Sequence, residues 1–315
     1  MNKDAAMRDS YGEVLVELGE KNPDIVVLDC DVSHSTKTLF FAKRFPERFF
    51  NFGIQEANMM DIAAALATVG LIPFANTFSF LATLRASEQI RTSIAYNNLN
   101  VKIVGSYGGL SDSYDGASHQ AVLDLAVMRG MPNLKVVVPS DSVETKKAVK
   151  AIVATPGPVY LRLCRNEVPV FFDEDYEFTL GKANILKEGA DVTLVVTGIL
   201  LDRTMKAVEE LEGEGIHCRV LQVHTLKPID HQAIARASEE TGALVTIEEH
   251  NIIGGLGSAV AEVLVSSKPA PMERVGIPDK FAESGDYHQL LDKYGMSCQD
   301  IVKAAKKVLQ RKLQQ

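Results

Sequence analysis

Hydrophobic and polar positions along the chain form two alternating kinds of segment. Short runs rich in β-branched residues predict buried strands: DIVVLD at 24–29, VKIVGS at 101–106, LKVVVP at 134–139 and PVYLRL at 158–163. The longer stretches around them repeat apolar residues at helical spacing: RDSYGEVLVELGEKN, QEANMMDIAAALATVG, FLATLRASEQIRTSIAYN and SVETKKAVKAIVATP. This alternation indicates an α/β domain, in which a parallel sheet has helices on both faces.

The alternation pauses at 166–191, in NEVPVFFDEDYEFTLGKANILKEGAD, which is acidic, aromatic and without helical periodicity. Such a segment suits a connector over the surface, and we predict one domain over 1–180. A second series of strands and helices then begins with DVTLVVTGIL and includes HCRVLQVHTLKP, GALVTIEEH and the glycine-led helix GGLGSAVAEVLV. It predicts a smaller α/β domain over 181–315.

Composition narrows the range of functions. The chain has 315 residues and 46% hydrophobic residues, which suits about two domains. Its formal net charge is -8 and its basic residues are scattered, so we expect no nucleic-acid partner. No apolar run approaches the roughly 20 residues of a membrane span, and the amino terminus lacks the apolar core of a secretory signal. We therefore expect a cytoplasmic protein with no membrane partner.

Cysteine spacing and glycine-rich stretches add no motif. The cysteines lie far apart, which excludes zinc and redox motifs and favours small buried residues: Cys30, Cys164, Cys218 and Cys298. None of the glycine-bearing stretches has the P-loop pattern.

Charged residues occur where predicted strands end or helices begin. Asp115 and His119 flank the glycine turn of SYDGASHQ, in a loop of the kind that carries sites in α/β proteins; a turn aspartate and a helix-capping histidine are the alternative. Arg162 and Arg165 follow a strand, where an arginine can hold a carboxylate or phosphate, or form a salt bridge with the acidic connector. Glu56 begins an apolar helix, either as a site carboxylate or as a first-turn residue stabilised by the helix dipole.

Several ordered motifs resemble those of transketolases and the related deoxyxylulose phosphate synthases: FGIQEANM, NTFSFL, YDGASHQ, PNLKVVVPSD and YLRLCRNEVP. The stretches TIEEHNIIGGLGSAVAEVL and GIPDKFAESGDYHQLLDKYGMS are similar to the transketolase carboxyl-terminal domain. The chain lacks the GDG motif that, in full-length transketolases, helps to hold Mg²⁺ and the diphosphate of thiamine diphosphate. The resemblance therefore implies the carboxyl-terminal subunit of a split transketolase, with a pyrimidine-binding domain before the carboxyl-terminal domain.

The resemblance also implies cofactor-binding residues. The family glutamate that matches Glu56 hydrogen-bonds the aminopyrimidine of thiamine diphosphate and favours its imino tautomer, which makes Glu56 a predicted catalytic residue. Phe78 and Phe80 fall where the family stacks aromatic rings on the pyrimidine, in a register that the spacing leaves open by one residue; a place in the core is the alternative. Asp31 matches a residue near the thiazolium ring. No metal ligand is expected in this chain, because Mg²⁺ and the diphosphate fall to a partner amino-terminal subunit.

On the substrate side, Asp115 and His119 match residues that bind the hydroxyl groups of the donor ketose, and the histidine also assists proton movement. Arg165 matches the arginine that grips the sugar phosphate, with Ser35 and Arg8 assisting.

The chain departs from the family at two positions beside the substrate. Tyr107 stands where many transketolases carry a histidine, eight residues before the loop aspartate, and Gly108 stands where the deoxyxylulose synthases have an arginine. The departures imply that the acceptor phosphate is held differently, or that the acceptor is not a standard pentose phosphate.

The implied function is transfer of a two-carbon ketol unit from a ketose phosphate to an aldose phosphate, as in pentose phosphate metabolism. It requires two copies of each chain, and this chain alone is expected to be inactive. Specialised substrates, such as branched or modified sugars, stay open. The alternatives are the beta chain of a 2-oxoacid dehydrogenase first component, a deoxyxylulose phosphate synthase-like enzyme, or a non-catalytic assembly subunit. The YDGASHQ loop argues against the dehydrogenase, and retention of Glu56, Asp115 and His119 argues against the assembly subunit.

Overall fold

A computed structural model describes residues 4–314 of the protein. The chain forms two α/β layers, each of which is one β-sheet with the helices packed against it. Its strands are β1 Asp4–Ala6, β2 Ile25–Asp29, β3 Phe49–Asn51, β4 Ile72–Phe78, β5 Lys102–Ser106, β6 Lys135–Val137, β7 Val159–Arg162, β8 Glu167–Pro169, β9 Asn184–Lys187, β10 Val192–Val196, β11 Cys218–Gln222, β12 Thr225–Lys227, β13 Leu244–Asn251 and β14 Met272–Ile277. Its α-helices are α1 Met7–Lys21, α2 Ser33–Thr36, α3 Leu39–Arg44, α4 Glu56–Thr68, α5 Ser87–Gln89, α6 Asp124–Gly130, α7 Ser142–Ala154, α8 Leu201–Gly213, α9 His231–Thr241, α10 Leu256–Ser266, α11 Tyr287–Lys293 and α12 Cys298–Lys312.

The first sheet has seven strands in the order β12-β6-β7-β5-β4-β2-β3, parallel except for β12. The four strands predicted from apolar runs are its β2, β5, β6 and β7. Helices α1, α3 and α7 pack in one apolar cluster, and α4 and α6 pack in the other. The predicted α/β class, with helices on both faces of the sheet, is confirmed.

The second sheet has five strands in the order β14-β13-β10-β11-β9, of which only β9 is antiparallel to its neighbour. The segment HCRVLQVHTLKP divides between the two sheets, because β11 joins the second sheet whereas β12 pairs with β6 at the edge of the first. The edge strand of the first sheet, β12, therefore comes from the part of the chain after residue 180. This pairing fastens the two halves of the chain together through backbone hydrogen bonds.

The acidic connector contains no helix, as predicted, but it is anchored to the first layer. Its strand β8 forms an antiparallel ribbon with β1. Asp141, the N-cap residue of α7, accepts hydrogen bonds from the backbone N–H groups of Phe171 and Phe172. The ring of Phe172 stacks on that of Tyr176, with 4.0 Å between the ring centres. The connector thus adds aromatic surface to the core beneath it.

The segment predicted as one helix over 80–97 is instead broken into π-helical turns at Leu81–Arg85 and Ile90–Ala95, on either side of α5. A π-helical turn accommodates one more residue than an α-helical turn and re-aims the side chains after it. This segment carries Phe80 and Arg85 beside the site described below.

Two further expectations concern membrane-spanning segments and cysteines. Within residues 4–314 no helix combines the length and apolarity needed to cross a membrane. Cys30, Cys164 and Cys218 are buried, as predicted, and Cys298 is partly exposed.

Candidate functional site

The predicted site residues lie at one edge of the first sheet. Asp31 follows β2, Glu56 begins α4 just after β3, and Phe78 ends β4. The loop 107–120 follows β5, and Arg165 follows β7. Because β2, β3, β4, β5 and β7 are parallel, their carboxyl ends share this edge, where α/β proteins commonly build binding sites.

Glu56 is a buried carboxylate with one free oxygen. Its side chain is 1% exposed, and its Oε2 atom lies 3.1 Å from the Nη1 atom of Arg85. Its Oε1 atom is buried and has no hydrogen-bond partner among the described residues. A buried acceptor without a partner is costly, so this oxygen fits a hydrogen-bond donor from outside the chain. The buried position argues against a solvent-exposed first-turn glutamate.

Arg85 was not predicted as a site residue. It ends the π-helical turn Leu81–Arg85, and its side chain is 53% exposed. In the sequence it occupies an amphipathic stretch, where an arginine on the polar face is ordinary. No local signal indicates that it meets a carboxylate 29 positions earlier.

The two predicted aromatic residues face different neighbours. The Phe78 ring stacks on the Tyr107 ring, with 4.5 Å between centres and 14° between planes. The Phe80 ring lies 4.9 Å from the His119 ring at a tilt of 57°. Neither phenylalanine is fully buried. These contacts argue against a purely core role for either ring.

Arg8, Ser35 and Tyr107 form a second contact group. The Nη1 atom of Arg8 donates to the Ser35 carbonyl oxygen and to the Tyr107 hydroxyl, both at 3.0 Å. The contact to Ser35 therefore uses its backbone and not its hydroxyl. Tyr107 has a φ of 63°, a left-handed conformation that a bulky residue rarely adopts. Tyr107, which departs from the family pattern, thus helps to fix the position of the Arg8 guanidinium group.

Arg165 joins this group through Tyr107. Its guanidinium carbon lies 5.1 Å from the centre of the Tyr107 ring, and its Nη1 atom lies 2.8 Å from Asp112 Oδ1. Asp112 is fully buried, whereas the Arg165 side chain is 36% exposed. The salt bridge to the acidic connector that was one alternative for Arg165 is wrong, because its carboxylate partner lies in the loop after β5.

Asp115 and His119 flank the short 3-10 turn Gly116–Ser118. Asp115 is exposed, and its side chain makes no capping hydrogen bond. His119 is partly buried, and its Nδ1 atom lies 2.9 Å from the Ser118 hydroxyl. Helix α6 begins only at Asp124, so the helix-capping histidine of the alternative is wrong, whereas Asp115 does lie in a turn.

A loop from the second layer, 278–286, holds this turn in place. Gln120 donates to the Glu283 carbonyl oxygen at 3.1 Å, and the Gly285 N–H donates to the Ser113 carbonyl oxygen at 3.0 Å. Gly116 has a φ of 74°, and a Cβ atom there would lie 2.4 Å from the Ser284 hydroxyl oxygen. The turn therefore requires glycine for its backbone conformation and for close packing.

Arg162 has a structural role. It is 6% exposed and makes a salt bridge of 2.7 Å with the fully buried Asp124. Its Nη2 atom also donates to the carbonyl oxygens of Ala121 and Glu249, which link the loop after β5 to β13. Neither alternative for Arg162, a ligand anion or the acidic connector, is correct.

Asp31 lies apart from the two groups. It is exposed, has a φ of 66°, and its Oδ1 atom accepts a hydrogen bond of 3.0 Å from Asn51. The structure thus assembles Arg8, Ser35 and Arg165 around Tyr107 and brings Phe80 to His119, whereas Asp31 contacts its own strand-end neighbours. Among residues 4–314, no three His, Cys, Asp or Glu side chains are grouped to hold a metal ion.

The chain matches two family models, the transketolase pyrimidine-binding domain over residues 3–170 and the transketolase C-terminal domain over residues 181–301. The chain belongs to the transketolase family. The matches leave 171–180 between them, and the domain boundary near 180 stays a prediction.

Two transketolase subunits are similar to this chain over nearly its whole length. It is 43% identical to the 6-deoxy-6-sulfo-D-fructose transketolase subunit SqwH of Clostridium sp. (strain MSTE9), over 97% of this chain and 95% of that protein. It is 39% identical to an apulose-4-phosphate transketolase subunit of Phocaeicola vulgatus, over 96% of this chain and 97% of that protein. A solved structure, a split gene transketolase in the form of an inactive beta4 tetramer, superposes with a TM-score of 0.91 at 51% identity, covering 98% of this chain and 99% of that one.

The residues of this transketolase chain fit the pyrimidine end of thiamine diphosphate. The free Oε1 atom of Glu56 supplies a buried acceptor, and the partly exposed rings of Phe78 and Phe80 supply apolar surface at the same edge of the sheet. A flat aromatic heterocycle with a nitrogen that can share a proton with the carboxylate matches this combination of acceptor and aromatic surface.

Proposed function

We propose that this chain is the carboxyl-terminal subunit of a cytoplasmic, thiamine diphosphate-dependent split transketolase. The enzyme moves a two-carbon ketol unit from a ketose phosphate to an aldose phosphate. The observation that carries the proposal is the buried, unpartnered Oε1 atom of Glu56 at the carboxyl edge of the parallel sheet. The near-complete coverage of two transketolase subunits and of a split-gene chain supports it.

On the cofactor side, the Oε1 atom of Glu56 would share a proton with a ring nitrogen of the aminopyrimidine, while Arg85 fixes the other oxygen of the carboxylate. Phe78 and Phe80 hold the flat ring by stacking, and Asp31 lies toward the thiazolium end. When bound, thiamine diphosphate supplies the electron sink for ketol transfer. The chain contributes orientation, exclusion of water and a proton relay at Glu56.

On the substrate side, Asp115 and His119 bind hydroxyl groups of the donor ketose, and His119 moves a proton at one of them. Arg8 and Arg165 hold the anionic end of the sugar, and Ser35 assists by fixing Arg8 through its carbonyl oxygen. The names of the two subunit relatives refer to a sulfonated and a phosphorylated sugar. A pair of guanidinium groups suits either anion.

The partner is an amino-terminal transketolase subunit that carries the ligands of Mg²⁺ and of the diphosphate. Two copies of each chain form the functional unit, with the cofactor between a diphosphate domain and a pyrimidine domain. The names of the subunit relatives and the inactive tetramer of a similar chain support this division of labour. The chain alone is inactive under this proposal.

Reconstitution tests the proposal. The chain is mixed with the amino-terminal subunit, thiamine diphosphate and Mg²⁺, and ketol transfer from a ketose phosphate to an aldose phosphate is followed. Turnover is expected only from the complete mixture, and the cofactor and metal should raise the melting temperature of the mixed subunits but not that of the isolated chain. Cofactor stabilisation of the isolated chain, or no turnover by the complete mixture, would refute the proposal.

A further inference from the structure

The proposed anion subsite consists of the guanidinium groups of Arg8 and Arg165 and the buried carboxylate of Asp112. Arg165 is paired with Asp112 at 2.8 Å, whereas the Nη1 atom of Arg8 is bonded to neutral groups, the Ser35 carbonyl and the Tyr107 hydroxyl. The group therefore carries one net positive charge when Asp112 is ionised and two when Asp112 is protonated.

Asp112 is placed to change its charge. Its side chain is fully buried, and its Oδ2 atom has no hydrogen-bond partner among the described residues. The charged groups that face it are Arg165 at the end of β7 and, on its own loop, Asp115 and His119. Burial raises the pKa of Asp112 to about 6, helped by the Asp115 carboxylate, which lies within hydrogen-bonding reach and carries a like charge, whereas Arg165 and His119 act in the opposite direction.

The loop 278–286, which packs against the Asp112 loop, carries the exposed charged residues Asp279, Lys280 and Asp286 besides Glu283. Its Glu283 carboxylate pairs with the Lys293 ammonium group on α11. Arg8 also faces the Tyr107 ring, with its guanidinium carbon 5.6 Å from the ring centre. The carboxylate that pairs directly with the partly exposed Arg165 guanidinium group is that of Asp112.

We propose that Asp112 sets the charge of the anion subsite, which accepts a singly charged end group directly and takes up a proton when it accepts a doubly charged phosphate. The singly charged class comprises sulfonates and singly protonated phosphates. The inference rests on the proposed function, in which Arg8 and Arg165 face the anionic end of the sugar. A second negative charge beside Asp112 favours its protonated form, because like charges at close range disfavour ionisation. The unpartnered Oδ2 atom offers a position for that proton.

The sign of the pH dependence follows from these charges. Above about pH 7 both Asp112 and a phosphate monoester, whose second pKa is about 6, are ionised in the free state. Binding of the phosphate then requires proton uptake, so its affinity falls as pH rises, by up to about tenfold per pH unit for one proton taken up. A sulfonate carries one charge throughout, so its affinity changes little over the same range.

Titration calorimetry of the assembled two-chain complex at about pH 7.5, in two buffers of different ionisation enthalpy, measures this proton uptake directly. The probes are glycerol 3-phosphate and 2,3-dihydroxypropane-1-sulfonate. The unmodified complex should take up about half a proton or more with the phosphate and almost none with the sulfonate. Asp112→Asn should abolish uptake with both probes. Asp112→Ser provides a second neutral variant should the amide disturb folding, and Glu283→Gln is the control that removes one charge nearby and keeps the uptake.

Equal proton uptake with the phosphate in the unmodified complex and in the Asp112 variants overturns the inference. Failure of both probes to bind overturns it as well, because the subsite is then absent. The turnover assay judges the proposed function separately. A complex that transfers ketol units but shows no Asp112-dependent proton uptake would retain the proposed function and lose this inference.

Discussion

Arg85 holds one oxygen of Glu56 and leaves the other free. Its Nη1 atom lies 3.1 Å from Glu56 Oε2, while Glu56 Oε1 is buried without a partner among the described residues. The carboxylate is 1% exposed and the guanidinium side chain 53% exposed, so the pair spans the boundary between the protein interior and the open edge of the sheet. A carboxylate fixed in this way presents a single, oriented acceptor.

Glu56→Gln should reduce turnover by the reconstituted enzyme by about two orders of magnitude or more, because the amide keeps the shape of the side chain but cannot relay a proton. The melting temperature of the variant chain should stay close to that of the unmodified chain. Steady-state kinetics with saturating cofactor provides the measurement, and Glu88→Gln, a change in the neighbouring segment, is the matched control. Near-normal turnover by Glu56→Gln would remove Glu56 from the catalytic residues.

Arg85→Met should lower the free energy of unfolding by about 1–3 kcal/mol, because it leaves a buried carboxylate without its charged partner. The loss of stability should be smaller than for a fully buried ion pair, because the Arg85 side chain is half-exposed. Urea unfolding of the isolated chain measures it. Arg91→Met removes an exposed arginine from the same segment and should change stability by no more than about 0.5 kcal/mol. Equal stability of the two variants would show that the ion pair contributes nothing.

Asp115→Ala and His119→Ala should each lower kcat/KM for the donor ketose by about tenfold or more, through lost hydrogen bonds to its hydroxyl groups. The affinity for thiamine diphosphate should change by less than about twofold, since neither residue is assigned to the pyrimidine. Donor kinetics and cofactor titration of the same preparations separate the two effects. Tyr114→Phe, an exposed change in the same loop, is the control. Equal damage to cofactor binding would instead assign the loop a structural role.

The buried carboxyl group of Glu144 should make the free energy of unfolding decrease as pH rises. Burial raises its pKa to about 7, although hydrogen bonds from Tyr176, the Ser140 N–H and Gln222 act in the opposite direction. In the unfolded chain the group ionises near pH 4.5. The folded chain therefore binds the proton more tightly, and the stabilisation is full below about pH 4.5 and is lost as pH rises through about 7.

Glu144→Gln should remove this component of the pH dependence. Between about pH 5 and 7.5 the free energy of unfolding of the variant should decline less steeply than that of the unmodified chain, by up to about 1.4 kcal/mol per pH unit. Urea unfolding at several pH values measures the slopes, with the exposed Glu174→Gln as control. Parallel slopes for Glu144→Gln and the unmodified chain would contradict the assignment.

The sequence by itself determined the α/β class of the fold and selected most residues of the candidate site. Apolar runs at 24–29, 101–106, 134–139 and 158–163 correspond to β2, β5, β6 and β7, because a strand buried on both faces must be apolar along its whole length. The ordered motifs identified the transketolase family. They also selected Arg8 and Arg165, which the fold brings to the same tyrosine ring.

Tertiary structure alone decided which charges pair. Arg85, at the end of a π-helical turn, meets Glu56 from 29 positions along the chain, and Arg165 meets Asp112 because β5 and β7 are neighbours in the sheet. The strand β12 likewise crosses to the first sheet although it follows β11 by two residues. Hydrophobic periodicity reports how each segment is buried, since that depends on the segment itself, whereas the partner of a side chain depends on which distant segments the topology places beside it.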